Sequence, residues 1–333
     1  MRALPSWRLG RSLVIGRWRP TAPCIRIIPT DACNLACAYC WQRGAGGQMG
    51  WDLFTACLAN ARRLDAGVIS FLGGEPTLWP HLDRAVAACA RAGLLTDLTS
   101  NGSRLDEEWL TGLASAGLHL LNLSVDALDG QGGSPKHRLG DPGFRDALRR
   151  VRRRTGLRVR INAVLGPGNI AEIDAVLDAC RADGLPVSVG FAMPPGRAAA
   201  DPAIHFTPER PAPVRAAQLA LVRQRRRGCR IIDPPAYGAG LVRFLRGDRF
   251  WTCGYGSRRG WINVDPRGHV RDCTKRMGDL GIVFTDLRRC DLPALRRRLA
   301  EGRTACNPDC YSNCAFDGSW YARRPWELLT RLG

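Results

Sequence analysis

The sequence predicts an α/β protein built around a parallel sheet, and three observations carry this prediction. From about residue 24 to residue 192, short apolar runs alternate with amphipathic stretches. A glycine follows each amphipathic stretch of this region. The 333 residues are 45% hydrophobic and 24% charged, which is ordinary globular composition. Alternating strands and helices are typical of βαβ units, and six of them fit either an open doubly wound sheet or a partial barrel.

The individual elements follow from local hydrophobic periodicity. The predicted strands cover residues 24–30, 68–72, 94–99, 119–125, 158–165 and 186–191. The predicted helices between them cover about 51–66, 80–92, 106–116, 141–155 and 170–183. Each helix is followed by a residue suited to the left-handed conformation that often ends a helix, namely Gly67, Gly93, Gly117, Gly156 and Gly184.

Three regions are expected along the chain. Residues 20–192 form the core, and residues 193–249 form a linker and a helical segment with a helix at about 212–228. Residues 250–322 form a small cysteine-rich module, in which the secondary-structure signal falls. The arginines at 225–227 are expected to be a solvated cap, because cations stabilise helix C-termini.

The formal net charge of +19 raises the question of a nucleic-acid partner. Only Lys136 and Lys275 are lysines, so 47 of the 49 basic residues are arginines. Codon usage in a GC-rich genome explains this skew more simply than selection for phosphate binding. We therefore do not expect nucleic acid to be the partner.

The cysteine content points to metal chemistry. No signal peptide or membrane span is recognisable, so we expect a cytoplasmic protein without a membrane partner. In a reducing compartment, 14 cysteines favour metal or cluster ligation over disulfides. Those in apolar helix or strand patterns are expected to be small buried hydrophobes, and they are Cys24, Cys57, Cys89, Cys180 and Cys229.

The segment after the first strand carries the strongest motif. Cys33, Cys37 and Cys40 have the spacing C-x3-C-x2-C. Three thiolates from one loop can hold three irons of a cubane and leave the fourth iron open to another ligand. The alternative is a zinc site, although zinc loops more often use two C-x2-C pairs that close four ligands around the metal.

These residues resemble the radical S-adenosylmethionine (SAM) enzymes, whose cysteine signature has an aromatic residue where this chain has Tyr39. The sequence Gly73–Gly74–Glu75–Pro76 at the end of the second strand is similar to the GGEP motif of that family. The resemblance implies a partial (β/α)6 TIM-like barrel, a SAM-cleaving [4Fe–4S] cluster and an external one-electron donor of the flavodoxin or ferredoxin type.

The same resemblance implies which residues bind SAM. The GGEP segment would contact the methionine amino group, for which the Glu75 carboxylate is a suitable acceptor. Asn101, Ser124 and Asp126 follow the third and fourth strands and are similar to positions that touch the SAM carboxylate and ribose. Each of the three is also compatible with a turn or cap role, and Asn162 with a buried hydrogen-bonded one.

A second group of cysteines lies near the C-terminus. Residues 261–270 predict a β-hairpin that brings Cys253 and Cys273 towards a common point. This region resembles the SPASM/twitch extension of radical SAM enzymes, in its shorter twitch form with one auxiliary [4Fe–4S] cluster. The expected ligands are Cys253, Cys273, Cys310 and Cys314, with Cys306 as a replacement and Cys290 as an outside candidate. Structural zinc is the alternative, because four thiolates also suit that metal.

The function implied by the resemblance is that of a radical SAM oxidoreductase or maturase. It would cleave SAM reductively to a 5′-deoxyadenosyl radical, abstract a substrate hydrogen and pass an electron to the auxiliary cluster. Only 32 residues precede Cys33, so a peptide substrate would need a separate recognition protein. We therefore expect a small-molecule biosynthetic intermediate, with a peptide (RiPP) maturase and an RNA-modifying enzyme as alternatives. The ending Leu332–Gly333, in place of paired glycines, disfavours molybdenum-cofactor synthesis. The sequence assigns no catalytic acid or base.

Overall fold

The computed structural model describes residues 20–40, 42, 46–129, 135–194, 200–248, 250–254, 260–273, 278–306 and 310–323. Within these residues one sheet of nine strands runs through the molecule in the order β6-β5-β4-β3-β2-β1-β7-β8-β9. The strands are β1 Cys24–Ile27, β2 Val68–Phe71, β3 Leu95–Ser100, β4 Leu120–Ser124, β5 Arg158–Leu165, β6 Val187–Phe191, β7 Trp261–Val264, β8 His269–Arg271 and β9 Asp279–Val283.

Helices connect the parallel strands and cover the sheet. They are α1 Trp51–Arg63, α2 Leu82–Arg91, α3 Glu107–Ala116, α4 Pro142–Thr155, α5 Ile170–Ala182, α6 Pro211–Arg226, α7 Pro235–Leu245, α8 Leu292–Cys306 and α9 Asn313–Arg323. Four of the five predicted terminal glycines have a positive φ, and the exception is Gly67. After α1 it is Asp65 that adopts the left-handed conformation, with φ 56°.

The strand order decides between the two architectures that the sequence left open. Strands β1 to β6 are parallel and lie side by side in sequence order. A doubly wound sheet reverses its strand order at a switch point, whereas a (β/α) barrel adds each strand on the same side of the last. The expected partial (β/α)6 barrel is confirmed, and the sheet is not closed.

In its described residues, the region after residue 250, expected as a small cysteine-rich module, contains strands β7 to β9 and helices α8 and α9. Strand β7 pairs in parallel with β1, in the register Cys24↔Trp261, and the hairpin therefore extends the barrel sheet. The preceding segment, expected to be a linker and a helical segment, contains α6 and also the unpredicted helix α7. Strand β7 and its partner β1 are more than two hundred residues apart in the sequence, and local periodicity carries no information over that distance.

Most of the cysteines expected to be apolar core are buried. Cys57, Cys89 and Cys180 are fully buried, Cys229 is nearly so, and Cys24 is half-buried. Within the described ranges, no helix is both long and apolar enough to cross a membrane.

This burial predicts a pattern of thiol reactivity. Desolvation raises the pKa of Cys57 to about 12 and also raises those of Cys89 and Cys180, so the reactive thiolate is scarce at pH 8. We expect iodoacetamide to modify the exposed Cys290 in the native protein and to spare these three. Peptide mass spectrometry measures the labelling, and the urea-unfolded protein is the control in which every cysteine reacts. Labelling of Cys89 as fast as Cys290 in the folded protein would contradict the buried assignment.

Candidate active site

A cavity of about 280 Å³ opens at the carboxyl ends of strands β1 to β6. Its walls come from three parts of the chain: the loop after β1, the ends of β2 to β6 and the start of α9. We call residues 31–40 the cysteine loop and residues 73–76 the glycine turn. Ligand sites of parallel α/β folds lie at this end of the strands, so the cavity is the natural place for a reaction centre.

The three cysteines of the cysteine loop all line this cavity. Cys37 is buried, Cys40 half-buried and Cys33 exposed. The N–H of Cys40 donates to the carbonyl of Cys37 over 3.0 Å, which makes the loop a tight turn. Burial raises the pKa of the Cys37 thiol, and the nearby Lys136 ammonium acts in the opposite direction.

The glycine turn holds the first residues of the cysteine loop in place. The N–H of Gly74 donates to the carbonyl of Thr30 over 3.1 Å, and that of Glu75 donates to the carbonyl of Ala32 over 2.8 Å. A Cβ atom on Gly74 would lie 2.0 Å from the Ala32 oxygen, and one on Gly73, whose φ is +142°, would lie 2.5 Å from the Thr30 oxygen. Only glycine permits this close approach, so the pair sets where the cysteine loop begins.

Glu75 lies beside the cavity with 1% of its surface exposed. Its Oε1 accepts hydrogen bonds from the Thr77 N–H (3.1 Å), the Thr77 hydroxyl (2.7 Å) and the Ser100 hydroxyl (2.8 Å). Its Oε2 accepts from the N–H of Asn101 over 2.7 Å. The carboxylate therefore joins the end of β2 to the end of β3. Pro76 is buried as the first residue of the short 3-10 turn that follows.

Three amide or hydroxyl side chains expected at the site also line the cavity. The Asn101 amide donates to Asn34 of the cysteine loop over 2.9 Å, and so fixes the far side of that loop. Ser124 and Asn162 face each other in the register of β4 and β5. The sequence identified each of these residues, but it did not show that Asn101 and the cysteine loop are hydrogen-bonded.

Asp126 has a different position from the other expected SAM contacts. It is fully buried and is not among the residues that line the cavity. Its Oδ1 accepts from the N–H of Val164 over 2.8 Å, and its Oδ2 accepts from the hydroxyl of Tyr39. The Lys136 ammonium donates to the Tyr39 oxygen over 2.8 Å and lies 4.0 Å from Asp126. Asp126 thus fixes Tyr39, the aromatic residue of the cysteine loop, from the buried side of the cavity wall.

Lys136 is a charged residue of the cavity that the sequence did not predict. It contributes an ammonium group to a wall that also carries the three thiols. One signal was present, because Lys136 is one of only two lysines in a chain with 47 arginines. The rarity of lysine did not show which residues Lys136 would contact, because its partner Tyr39 is 97 residues away in the sequence.

The structure describes the positions of five of the six C-terminal cysteines considered as cluster ligands. Cys314, at the start of α9, lines the same cavity as the cysteine loop. The N–H of Gly254 donates to the carbonyl of Ala315 over 2.9 Å, so Cys253 and Cys314 lie in neighbouring segments. Cys273 and Cys310 are half-buried, and Cys290 is exposed. The side chain of Cys306, at the end of α8, lies outside the described part of the structure.

The thiols of the cysteine loop fit a [4Fe–4S] cluster by their chemistry and their spread. In the part of the chain that the structure describes, no three His, Cys, Asp or Glu side chains converge as the ligands of one metal ion would. A cubane binds each thiolate at a different iron, so thiols spaced along a loop wall suit it. Iron binding requires deprotonated thiols, which the Lys136 charge beside Cys37 favours.

Comparisons with known proteins identify the family to which the chain belongs. The profile described as the Radical SAM superfamily matches residues 27–194. A probable GTP 3′,8-cyclase of Pyrobaculum aerophilum is 29% identical over 175 residues, which are 51% of this chain and 55% of that protein. The GTP 3′,8-cyclase of Mycobacterium marinum is 33% identical over 177 residues, which are 50% of this chain and 48% of that protein. The chain spans about half the length of the curated relatives it matches.

Solved structures resemble the fold over a longer stretch. The structure of Streptococcus suis SuiB bound to the precursor peptide SuiA has a TM-score of 0.61 and 16% identity, and the match covers 86% of this chain and 68% of that one. The structure of anSMEcpe with bound AdoMet has a TM-score of 0.62 and 16% identity, with 92% and 96% covered. These two likenesses concern the fold. Since the superfamily profile matches half of the sequence, the chain belongs to the radical SAM superfamily, and it is a SAM-dependent enzyme that uses a [4Fe–4S] cluster.

Proposed function

We propose that this protein is a radical SAM oxidoreductase or maturase whose reaction takes place in the 280 Å³ cavity. The observation that carries the proposal is that the cysteine loop, the glycine turn and Cys314 all line this one cavity. Cys33, Cys37 and Cys40 would hold a [4Fe–4S] cluster, which when bound would supply the electron for the reductive cleavage of SAM to methionine and a 5′-deoxyadenosyl radical. An external donor, of the flavodoxin or ferredoxin type, renews that electron.

The chain's own residues bind and orient SAM. The carbonyl groups of Gly73 and Gly74 and the carboxylate of Glu75 offer acceptors to the methionine ammonium. The Lys136 ammonium offers a partner to a carboxylate in the same cavity. Asn101, Ser124 and Asn162 supply further polar groups, and Asp126 holds Tyr39 so that the cysteine loop keeps its shape.

The C-terminal region serves a second cluster in this proposal. Residues 20–192 are the SAM-binding core, residues 193–249 the linker and helical segment, and residues 250–322 the SPASM/twitch-like domain. Cys253, Cys273, Cys310 and Cys314 are the proposed ligands of an auxiliary [4Fe–4S] cluster, with Cys306 as a replacement. Cys314, one of these proposed ligands, also borders the cavity in which the substrate would react.

We infer a small molecule as the substrate, because a cavity of this volume is small and walled by α9 as well as by the strand ends. A purine nucleotide is one such molecule, since the curated relatives are GTP 3′,8-cyclases. A peptide is the second candidate, because the fold is shared with SuiB, which was solved with its precursor peptide.

The substrate class is tested by hydrogen transfer. The reconstituted protein is incubated anaerobically with SAM, a reductant and deuterium-labelled cell extract that has been divided into metabolites, peptides and RNA; GTP is tested separately. Deuterium in 5′-deoxyadenosine identifies the fraction that holds the substrate. Transfer from the metabolite fraction or GTP supports the proposal, whereas transfer only from peptides or only from RNA overturns the small-molecule assignment.

The hydrogen bonds of Glu75 lead to a prediction about SAM binding and stability. Replacing Glu75 by alanine removes an acceptor for SAM and leaves the buried N–H groups of Thr77 and Asn101 without their partner. We expect weaker SAM binding with unchanged iron per chain, and a fall of about 2 kcal/mol in the free energy of unfolding. Equilibrium dialysis, iron analysis and urea unfolding measure the three quantities.

A matched variant separates the two roles of Glu75. Thr77→Val removes one hydroxyl donor to the same carboxylate but leaves the carboxylate itself in the cavity. It should lower stability and leave SAM affinity within about twofold of wild type. If Glu75→Ala loses iron and SAM to the same degree, Glu75 is a structural residue and not a SAM contact.

A further inference from the structure

A second and larger cavity lies at the opposite end of the parallel strands from the active site. Its volume is about 750 Å³. It is bordered by the amino ends of β4 and β5, by the residue before β6, and by the ends of α4 and α5; the corresponding residues are Leu120, Arg158, Pro186, Gly156 and Gly184. Neither the superfamily chemistry nor the proposed function uses this end of the barrel.

The lining of this cavity is strongly basic. Six arginines contribute to it, and they are Arg149, Arg152, Arg153, Arg158, Arg160 and Arg230. The acidic residue of the lining is Asp183, which already binds Arg145 over 2.9 Å and Arg149 over 2.5 Å. We call this site the arginine cavity. Its positive charge is therefore largely uncompensated by its own walls.

Several of these guanidinium groups are without an anionic partner. Arg153, Arg158 and Arg230 are exposed to solvent, and none of the three forms an ion pair with a residue that the structure describes. The Nε of Arg160 is buried and has no hydrogen-bond acceptor within the described ranges. Arg160 also lies near Asp97, and its charge opposes the larger effect of burial, which raises the pKa of that carboxyl. Burial lowers the pKa of Arg152 and the Asp183 carboxylate opposes that effect, while the Arg152 guanidinium donates to the carbonyl of Asp183 over 3.3 Å.

Helix capping explains only part of this arrangement. Arg152 and Arg153 lie in the last turn of α4, where cations are favourable to the helix dipole. Arg158 and Arg160 belong to strand β5, and Arg230 follows α6, so no common helix end accounts for them. Residues from three elements line one concave space, and an excess of like charges around such a space raises the local positive potential.

We propose that the arginine cavity binds a small phosphate-bearing molecule. Guanidinium groups bind phosphate oxygens through paired hydrogen bonds, and several arginines match a ligand with more than one negative charge. A volume of about 750 Å³ lies in the usual range for small-molecule sites. The cavity is half open, but its arginines come from three elements that border one concave space. This arrangement favours a small ligand over a nucleic-acid strand, which would need an extended basic stripe. Its place at the far end of the strands separates this site from SAM binding.

The test measures binding of inorganic pyrophosphate to the full chain, reconstituted with iron, by isothermal titration calorimetry. The variant Arg158→Gln/Arg230→Gln removes two charges from the arginine cavity. The matched control is Arg215→Gln/Arg226→Gln, which removes two exposed charges from α6 instead. We expect one saturable site in wild type, a loss of about tenfold or more in affinity in the cavity variant, and a change within about twofold in the control. SAM binding should be the same in all three proteins.

Every other outcome overturns the proposal. Absence of saturable binding shows that the cavity is not a phosphate site, and equal losses in both variants show a general charge effect. Citrate is the second probe: if it binds as tightly as pyrophosphate and depends on the same two arginines, the site is one for anions in general. A single-stranded RNA that binds more tightly than pyrophosphate, and loses affinity in the cavity variant, reassigns the surface to nucleic acid.

Discussion

Replacement of Cys37 by alanine is expected to abolish the reductive cleavage of SAM, and the same holds for Cys33 and Cys40. Each substitution removes one of three thiolates that the cysteine loop contributes to the cavity. A cubane with two protein ligands from this loop is not held firmly, because cluster binding depends on the cysteine thiolates. Chromatographic measurement of 5′-deoxyadenosine, after anaerobic incubation with SAM and dithionite, should show no product above the protein-free reaction.

The control for this experiment is Cys290→Ala. Cys290 is exposed and does not line the cavity, so its loss should leave the SAM-cleavage rate unchanged. Iron analysis of each variant distinguishes loss of the cluster from loss of folding. Wild-type formation of 5′-deoxyadenosine by any of the three cysteine-loop variants would show that the cluster ligands have been assigned wrongly.

The second large effect is expected from the double variant Cys253→Ala/Cys273→Ala. If these residues hold an auxiliary cluster, the variant should contain about half of the wild-type iron, because each site holds four irons. It should still cleave SAM, whereas substrate conversion should fall sharply since the electron acceptor is lost. Electron paramagnetic resonance of the reduced protein should then show one cluster signal in place of two.

The place of β7 and β8 in the sheet makes a folding control necessary. The hairpin that leads to Cys273 pairs with β1, which runs directly into the cysteine loop. Damage to the hairpin could therefore reach the first cluster, and metal ligation can itself contribute to folding. Size-exclusion chromatography and circular dichroism check that the variant is folded. A folded variant with full iron and full conversion would exclude an auxiliary cluster at these residues, and loss of zinc in place of iron would make the region structural.

Features that depend on residues close together in the chain were predictable before the fold was known. Alternation of apolar runs with amphipathic stretches located β1 to β6 and the helices between them to within a few residues. The spacing of Cys33, Cys37 and Cys40 and the glycine turn identified the chemistry, because a loop that binds a cluster must carry its thiolates within reach of one another. These signals are local, and residues close in the chain stay close in any fold.

The residues that are distant in the sequence but share a site could be identified only from the folded structure. Strand β7 joins β1 across more than two hundred residues, Glu75 bonds to the end of β3, and Cys314 reaches the cavity from the far end of the chain. Asp126 accepts a hydrogen bond from Tyr39 but does not line the cavity. Lys136 donates to the same tyrosine, although no sequence motif predicts it at the site. The arginines of the second cavity likewise come from three separate elements. Such contacts depend on the order in which the strands pair in the sheet, and the periodicity of a single segment does not predict that order.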